Sequence, residues 1–209
     1  MTIYISTGGY KKKSADQITE DFINNNIKEI ELSGGIYDPN LINNLTKYLS
    51  KGAKFEIHNY FPPPEKPFII NLASNEDDIR KLSLNHVFKA IKCCEKLRAK
   101  SYSFHAGFLC DFDISEIGKK IKKRPLYEKK RSTDLFLECL NQISKFARDH
   151  GVNIMVENNV ISKKNLLEFD KNPFLMCDPQ ETFEIMKNSP ENIKLLVDVA
   201  HLKVSSNSL

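Results

Sequence analysis

Six short runs of β-type residues recur along the chain, at Ile3–Ser6, Lys28–Leu32, Lys54–His58, Ser101–His105, Asn153–Glu157 and Lys194–Asp198, and helical periodicity fills each gap between them. Strands that alternate with helices pack stably as a parallel sheet with right-handed crossovers and helices on the sheet face. That leaves two architectures, an open doubly wound sheet or a (β/α) barrel, and periodicity is the same in both. With 209 residues, 41% of them hydrophobic, the chain can bury one core, so a single domain over residues 1–209 is expected.

Several helix ends carry a mechanism. Ser14 with Gln17 reads as a capping box, and Asp38-Pro39 and Asp178-Pro179 each place a cap before a proline at the first helical position. From Thr133 to His150 apolar residues recur at helical spacing, at Leu135, Phe136, Cys139, Leu140, Ile143, Phe146 and Ala147. Gly151 then supplies a left-handed stop.

The strand ends separate the two architectures. Nearly every run finishes in a polar or ionisable group: Ser6-Thr7, Ser33, His58-Asn59, His105, Glu157-Asn158-Asn159, and Asp198 with His201 one turn on. A barrel opens all these ends onto one face, whereas an open sheet gathers only those at its switch point. The expected fold is therefore α/β, a TIM (β/α)8-type barrel, incomplete, with about six βα units present. Imidazoles mixed with carboxylates suit a divalent transition metal (zinc, manganese, cobalt or iron), whereas an all-oxygen shell suits magnesium or calcium. His58, His105, Glu157, Asp198 and His201 are the candidate ligands. A lone histidine after a strand is more often structural, but five such groups at four strand ends make a metal the better reading. Asp198 and His201, three apart, can meet at one centre if the chain turns tightly after Asp198.

The segments IHNYFPPP, IINLAS, SFHAGF, MVENN and VDVAHLK resemble the xylose-isomerase-like TIM barrels, which include sugar and sugar-phosphate isomerases and epimerases as well as zinc-dependent abasic-site endonucleases. The resemblance runs from the first strand to the sixth, and its wording is most similar to sugar phosphate isomerase/epimerase proteins found with surface-glycan genes. It implies Glu157 and Asp198 as metal ligands. It implies His201 as a ligand or a contact to substrate oxygen, and His58 and His105 as ligands or pocket groups. Asn59 and Tyr60 follow as substrate contacts. In the epimerase branch the residue matching Glu157 also takes a proton α to a carbonyl, with His201 beside it. The resemblance further implies two more βα units, about 50 to 70 residues carrying a histidine and a glutamate, beyond Leu209. A fragment is thus expected. The first functional reading is a metal-dependent isomerase or epimerase of a sugar or sugar phosphate. The alternative is a zinc-dependent abasic-site endonuclease, or an inactive fragment of either.

Composition narrows the partners. A formal net charge of +4 is too mild to call for nucleic acid, which enters only under the alternative reading. The start, MTIYISTGGYKKK, fits neither a secretory signal nor a membrane span, so no membrane partner and a cytoplasmic location are expected. Five cysteines without a C-x-x-C pair read as reduced packing residues. The run Lys119-Lys120-Ile121-Lys122-Lys123-Arg124 and the later Lys129-Lys130-Arg131 read either as a solvated face or as a clamp for phosphate. Gly8-Gly9 and Gly34-Gly35 lack a phosphate-binding pattern, so no nucleotide cofactor is indicated.

Overall fold

A computed structural model describes residues 2–10 and 12–209, so Lys11 of the amino-terminal lysine run lies outside the described residues. Among the described residues six strands form one sheet in the order β1 to β6: Ile5–Ser6, Glu29–Ser33, Lys54–His58, Ser101–His105, Asn153–Glu157 and Ile193–Leu196. This sequential order is that of a barrel winding in one direction; a doubly wound sheet reverses its order at a switch point. Among the described residues seven helices follow the strands, two of them between β5 and β6: α1 (Ala15–Asn24), α2 (Leu41–Leu49), α3 (Asp77–Leu97), α4 (Lys129–Asp149), α5 (Lys163–Phe169), α6 (Pro179–Lys187) and α7 (Val199–Ser206). Among the described residues no helix is long and apolar enough to cross a membrane.

Two compact units can be distinguished. The first comprises the residues up to Pro67 together with Phe88–Phe104 and Phe146–Ile154. Here β2 and β3 pair in parallel with Ser33 opposite His58, and β3 pairs with β4 with His58 opposite Ser103. Burial alternates along β2 and β3, as a half-buried pleated surface requires. Ile30, Leu32, Phe55, Ile57, Tyr102 and Phe104 form the apolar face, all at most 2% exposed, while Glu31, Ser33, Glu56 and His58 occupy the other face. Ile18 and Phe22 of α1 and Leu41 and Leu45 of α2 bury the matching helix stripes. The expected capping box opens α1, with the Gln17 side chain accepting from the Ser14 backbone N–H at 3.1 Å. Asp38-Pro39 does not open α2: the Asp38 side chain accepts from the Asn40 N–H at 2.8 Å, closing a turn, and Asn40 caps the helix two residues later.

The second unit comprises Phe68–Val87, His105–Lys145 and Met155–Leu209. Asp178 caps α6 through the Glu181 N–H, with Pro179 at its first position, as the sequence indicates. The segment between β4 and α4 shares a small core with the stretch between β5 and α6, in which Cys110, Ile121, Ile161, Phe169, Phe174 and Cys177 pack with Phe108, Phe112, Leu126 and Leu166. Backbone bonds from Leu109 N–H to Pro173 O at 2.8 Å and from Leu175 N–H to Gly107 O at 3.0 Å tie this segment to the chain before α6. At about 1.5–3 kcal/mol per buried large side chain, such a cluster is enough to hold a long connection in one conformation.

The basic run belongs to this latched segment. Lys120 pairs with Glu168, Lys123 with Asp170, Arg124 with Glu116, Lys129 with Glu181 and Lys130 with Asp134. Charges already neutralised by carboxylates are poor phosphate ligands, so this favours the reading of a solvated, ion-paired face. Glu116 is the best-held of these acids. It accepts from the Lys122 and Asp113 backbones and from Arg124, and those bonds outweigh burial and keep its carboxyl below the ordinary glutamate value. A depressed folded value means stability that is present above the unfolded pKa of about 4.3 and is lost as pH falls through the folded one. Amide exchange over residues 117–124 is therefore expected to accelerate below about pH 4 before the rest of the chain loosens. Glu116→Gln should give fast exchange there at pH 7 as well. Uniform loosening of the whole chain would contradict this.

Candidate metal centre

Glu157 is the last residue of β5 and only 3% exposed. A buried carboxylate is stable only with partners for its charge. Two imidazoles approach it: His201 Nδ1 lies 3.4 Å from Oε1, and His105 Nδ1 lies 3.8 Å from Oε2. The strand ends place His105, because the Ala106 N–H bonds the Glu157 carbonyl at 3.1 Å. The two histidine rings lie 5.3 Å apart, 32° from parallel.

Asp198 reaches the same place by a different route from the one expected. β6 stops at Leu196, and Asp198 is the cap of α7, its side chain accepting from the His201 N–H at 2.9 Å. The D-x-x-H spacing is therefore the spacing of a helix cap to the third helical residue, and the capping bond itself supplies the tight turn. Its other oxygen, Oδ2, is left 3.5 Å from His201 Nε2. Meanwhile His201 Nδ1 lies 2.8 Å from the Asn158 carbonyl, which can only accept, so Nδ1 carries the proton and Nε2 the lone pair. Two lone-pair atoms facing each other at this distance suit a shared cation. Bonds of about 2.1 Å at a tetrahedral angle would hold such donors about 3.4 Å apart. Burial pushes the Asp198 carboxyl up, but hydrogen bonds from the His201 and Ala200 backbone N–H groups help to outweigh it, leaving the group below the ordinary aspartate range. It is an anion at neutral pH, as a metal ligand must be. Glu157, Asp198 and His201 each offer a donor atom within 4.8 Å of the others, so this trio fits a transition ion in both chemistry and spacing.

His58, Asn59 and Tyr60 lie in the first unit. His58 Nδ1 sits 2.9 Å from Ser103 Oγ, and Asn59 donates its N–H to the Ser103 carbonyl at 2.6 Å while its own carbonyl accepts from Tyr102 Oη at 2.9 Å. Asn59 takes a φ of 43°, a left-handed conformation that asparagine tolerates at the end of a strand. Tyr60 is half-buried.

Three buried residues hold this region and had no role assigned from sequence. Asn158 accepts the Asp198 N–H at 2.8 Å and donates to the Asp198 carbonyl at 3.3 Å. Asn159 donates to the carbonyls of Ala106, Gly107 and Leu175. Asn71, 1% exposed, receives the Phe108 N–H at 2.9 Å and donates to the Phe108 carbonyl at 3.1 Å and to Asp111 at 2.6 Å. His105 is thus followed by a chain clamped from two sides. The available signal was a polar residue of high hydrogen-bonding capacity directly after an apolar run, in MVENN and IINLAS.

The comparisons accord with this arrangement. The xylose isomerase-like TIM barrel family matches residues 35–207. An uncharacterised protein of Methanocaldococcus jannaschii is 25% identical over 138 residues, 66% of this chain and 45% of that protein, so the chain spans less than half of that relative's length. Among solved structures, a D-tagatose 3-epimerase-like protein superposes with a TM-score of 0.66 at 20% identity, covering 90% of this chain and 62% of that one. D-psicose 3-epimerase from Clostridium cellulolyticum H10, crystallised with D-tagatose, gives a TM-score of 0.69 at 17% identity, covering 100% and 67%. With a sequential parallel sheet, strand-end imidazoles and carboxylates, and a family match over most of its length, the chain belongs to the xylose isomerase-like TIM barrel family.

Proposed function

We propose that this chain is the metal-binding part of an isomerase or epimerase that moves a proton on a sugar or sugar phosphate. The observation that carries this reading is the placement of Glu157, a buried carboxylate flanked by His105 and His201 and adjoining Asp198. Glu157, Asp198 and Nε2 of His201 would hold a divalent transition ion such as zinc, manganese or cobalt, with His105 and His58 as further ligands or substrate contacts. The ion, when bound, polarises the carbonyl and hydroxyl oxygens of the sugar and so acidifies the carbon between them. Glu157 would take the proton from that carbon or return it, and Nε2 of His201, where it does not hold the ion, would instead contact a substrate oxygen. Asn59 and Tyr60 would orient the hydroxyls. The likeness to a sugar epimerase crystallised with D-tagatose supports a small sugar as the partner.

The ion-paired state of the basic segment weighs against the alternative, since a nuclease grips its substrate largely through uncommitted lysines and arginines. The test is exchange with deuterated solvent. Manganese-loaded protein incubated with a ketohexose such as D-tagatose is expected to incorporate deuterium next to the carbonyl, and chelator should stop it. Chelator-sensitive incision of an abasic-site duplex with no exchange at any sugar carbon would overturn the reading.

A further inference from the structure

We infer that Asn158 is a positioning residue, a side-chain splice that carries the pairing of β5 and β6 past the end of the strands and thereby sets both Asp198 and His201; this rests on the metal reading above. The last backbone bond between these strand ends, Asn158 N–H to the Leu196 carbonyl, is long at 3.4 Å. Beyond it the ladder continues through the asparagine side chain. Its Oδ1 accepts the Asp198 N–H at 2.8 Å and its Nδ2 donates to the Asp198 carbonyl at 3.3 Å, the same two bonds that a neighbouring strand's backbone would make. The main-chain carbonyl of the same residue takes the proton of His201 Nδ1 at 2.8 Å.

One residue therefore fixes the backbone of Asp198 and the tautomer of His201, and it follows directly on Glu157 in the chain. Asn158 is only 3% exposed, so water does not replace these bonds. An amide is the side chain suited to this role. It donates and accepts at once, as a peptide group does, whereas aspartate only accepts and leucine does neither. The histidine orientation follows because the α7 cap and the Asn158 carbonyl hold His201 from two directions, its backbone N–H on Asp198 and its ring on Asn158.

The test reads the metal-free protein first. Nitrogen-15 NMR of the wild-type chain is expected to show a protected Asp198 amide and His201 as the Nδ1–H tautomer; an unprotected Asp198 amide would overturn the proposal without any variant. Asn158→Leu, of similar size, is expected to lose that protection and leave His201 a mixture of tautomers, with the far-ultraviolet circular dichroism unchanged. Asn158→Asp keeps the acceptor and is expected to keep most of the amide protection. Zinc affinity, by competition with a chromophoric chelator, should fall about 10- to 100-fold in the leucine variant, the usual effect of losing a partner that orients a ligand. A folded Asn158→Leu that keeps both the tautomer and the affinity overturns the proposal. Should Asn158→Leu not fold, a folded Asn158→Asp whose Asp198 amide exchanges freely would overturn it. Wild-type protein that binds no zinc yet shows the protected amide and single tautomer sinks the metal reading and leaves the splice standing.

Discussion

Replacing Glu157 with glutamine is expected to lower affinity for zinc or manganese by more than about 100-fold, beyond the range seen when only an outer partner of a ligand is lost. Glutamine has the same shape and can still hydrogen-bond the two imidazoles, so packing is retained, but its amide oxygen carries no charge to offset a divalent ion. Glu157 is the one residue of the group that lies against both His105 and His201, at 3.8 Å and 3.4 Å. Its loss should therefore act on the site as a whole. Thermal unfolding of the metal-free variant should shift little, or even upward, because a buried charge is removed. Chelator competition and a melt in parallel check this. A variant that binds metal as tightly as the parent would show the ion sits elsewhere.

Gly107→Ala is expected to destabilise the chain by about 2–3 kcal/mol, the upper part of the usual range for overpacking a tight interior. A Cβ at Gly107 would meet the Ala73 Cβ at 2.3 Å and the Ala73 N at 3.0 Å, so backbone as well as side chain must move. Asn71 and Asn159 pin both segments, so the strain has no easy outlet. Gly107 follows His105 by two residues, so the third residue of the H-x-G element is explained by close approach to the N-L-A-S segment. In a chain of this size the loss corresponds to a fall in melting midpoint of about 4–12 °C. Ala73→Gly in the same chain removes the worst contact, and the double variant should be more stable than Gly107→Ala alone. If the two losses simply add, the close approach is not the cause.

Much of the fold was legible in the residues. β3, β4 and β5 match their sequence-predicted bounds because apolar alternation in each is closed by a polar end and a turn. β6 was drawn one residue late at its start and two residues past its end: the apolar run continues through Val197, but the Asp198 cap takes the chain into α7. β1 is shorter than expected, Ile5–Ser6, and α4 begins at Lys129 rather than Thr133. Its first turn, Lys129 to Ser132, has no apolar residue, so hydrophobic periodicity is silent there.

The ionisable members of the site were visible one by one at strand ends. What joins them was not. The bonds of Asn158 to Asp198 span 40 residues and those of Asn71 to Phe108 span 37, and no local pattern predicts which carbonyl a buried amide will find. The lysine run had two readings for a related reason. Its sequence shows the cations but not Glu168, Asp170 and Glu181, which arrive from α5, the residue after it, and α6.

Anomalous X-ray diffraction from crystals of the chain grown with zinc tests the central claim most directly. The account predicts one strong peak within about 2.0–2.2 Å of a Glu157 oxygen, Asp198 Oδ2 and His201 Nε2, with Nδ1 of His201 still on the Asn158 carbonyl. No peak there, or zinc bound through Nδ1 of His201 with Asp198 turned away, would contradict it.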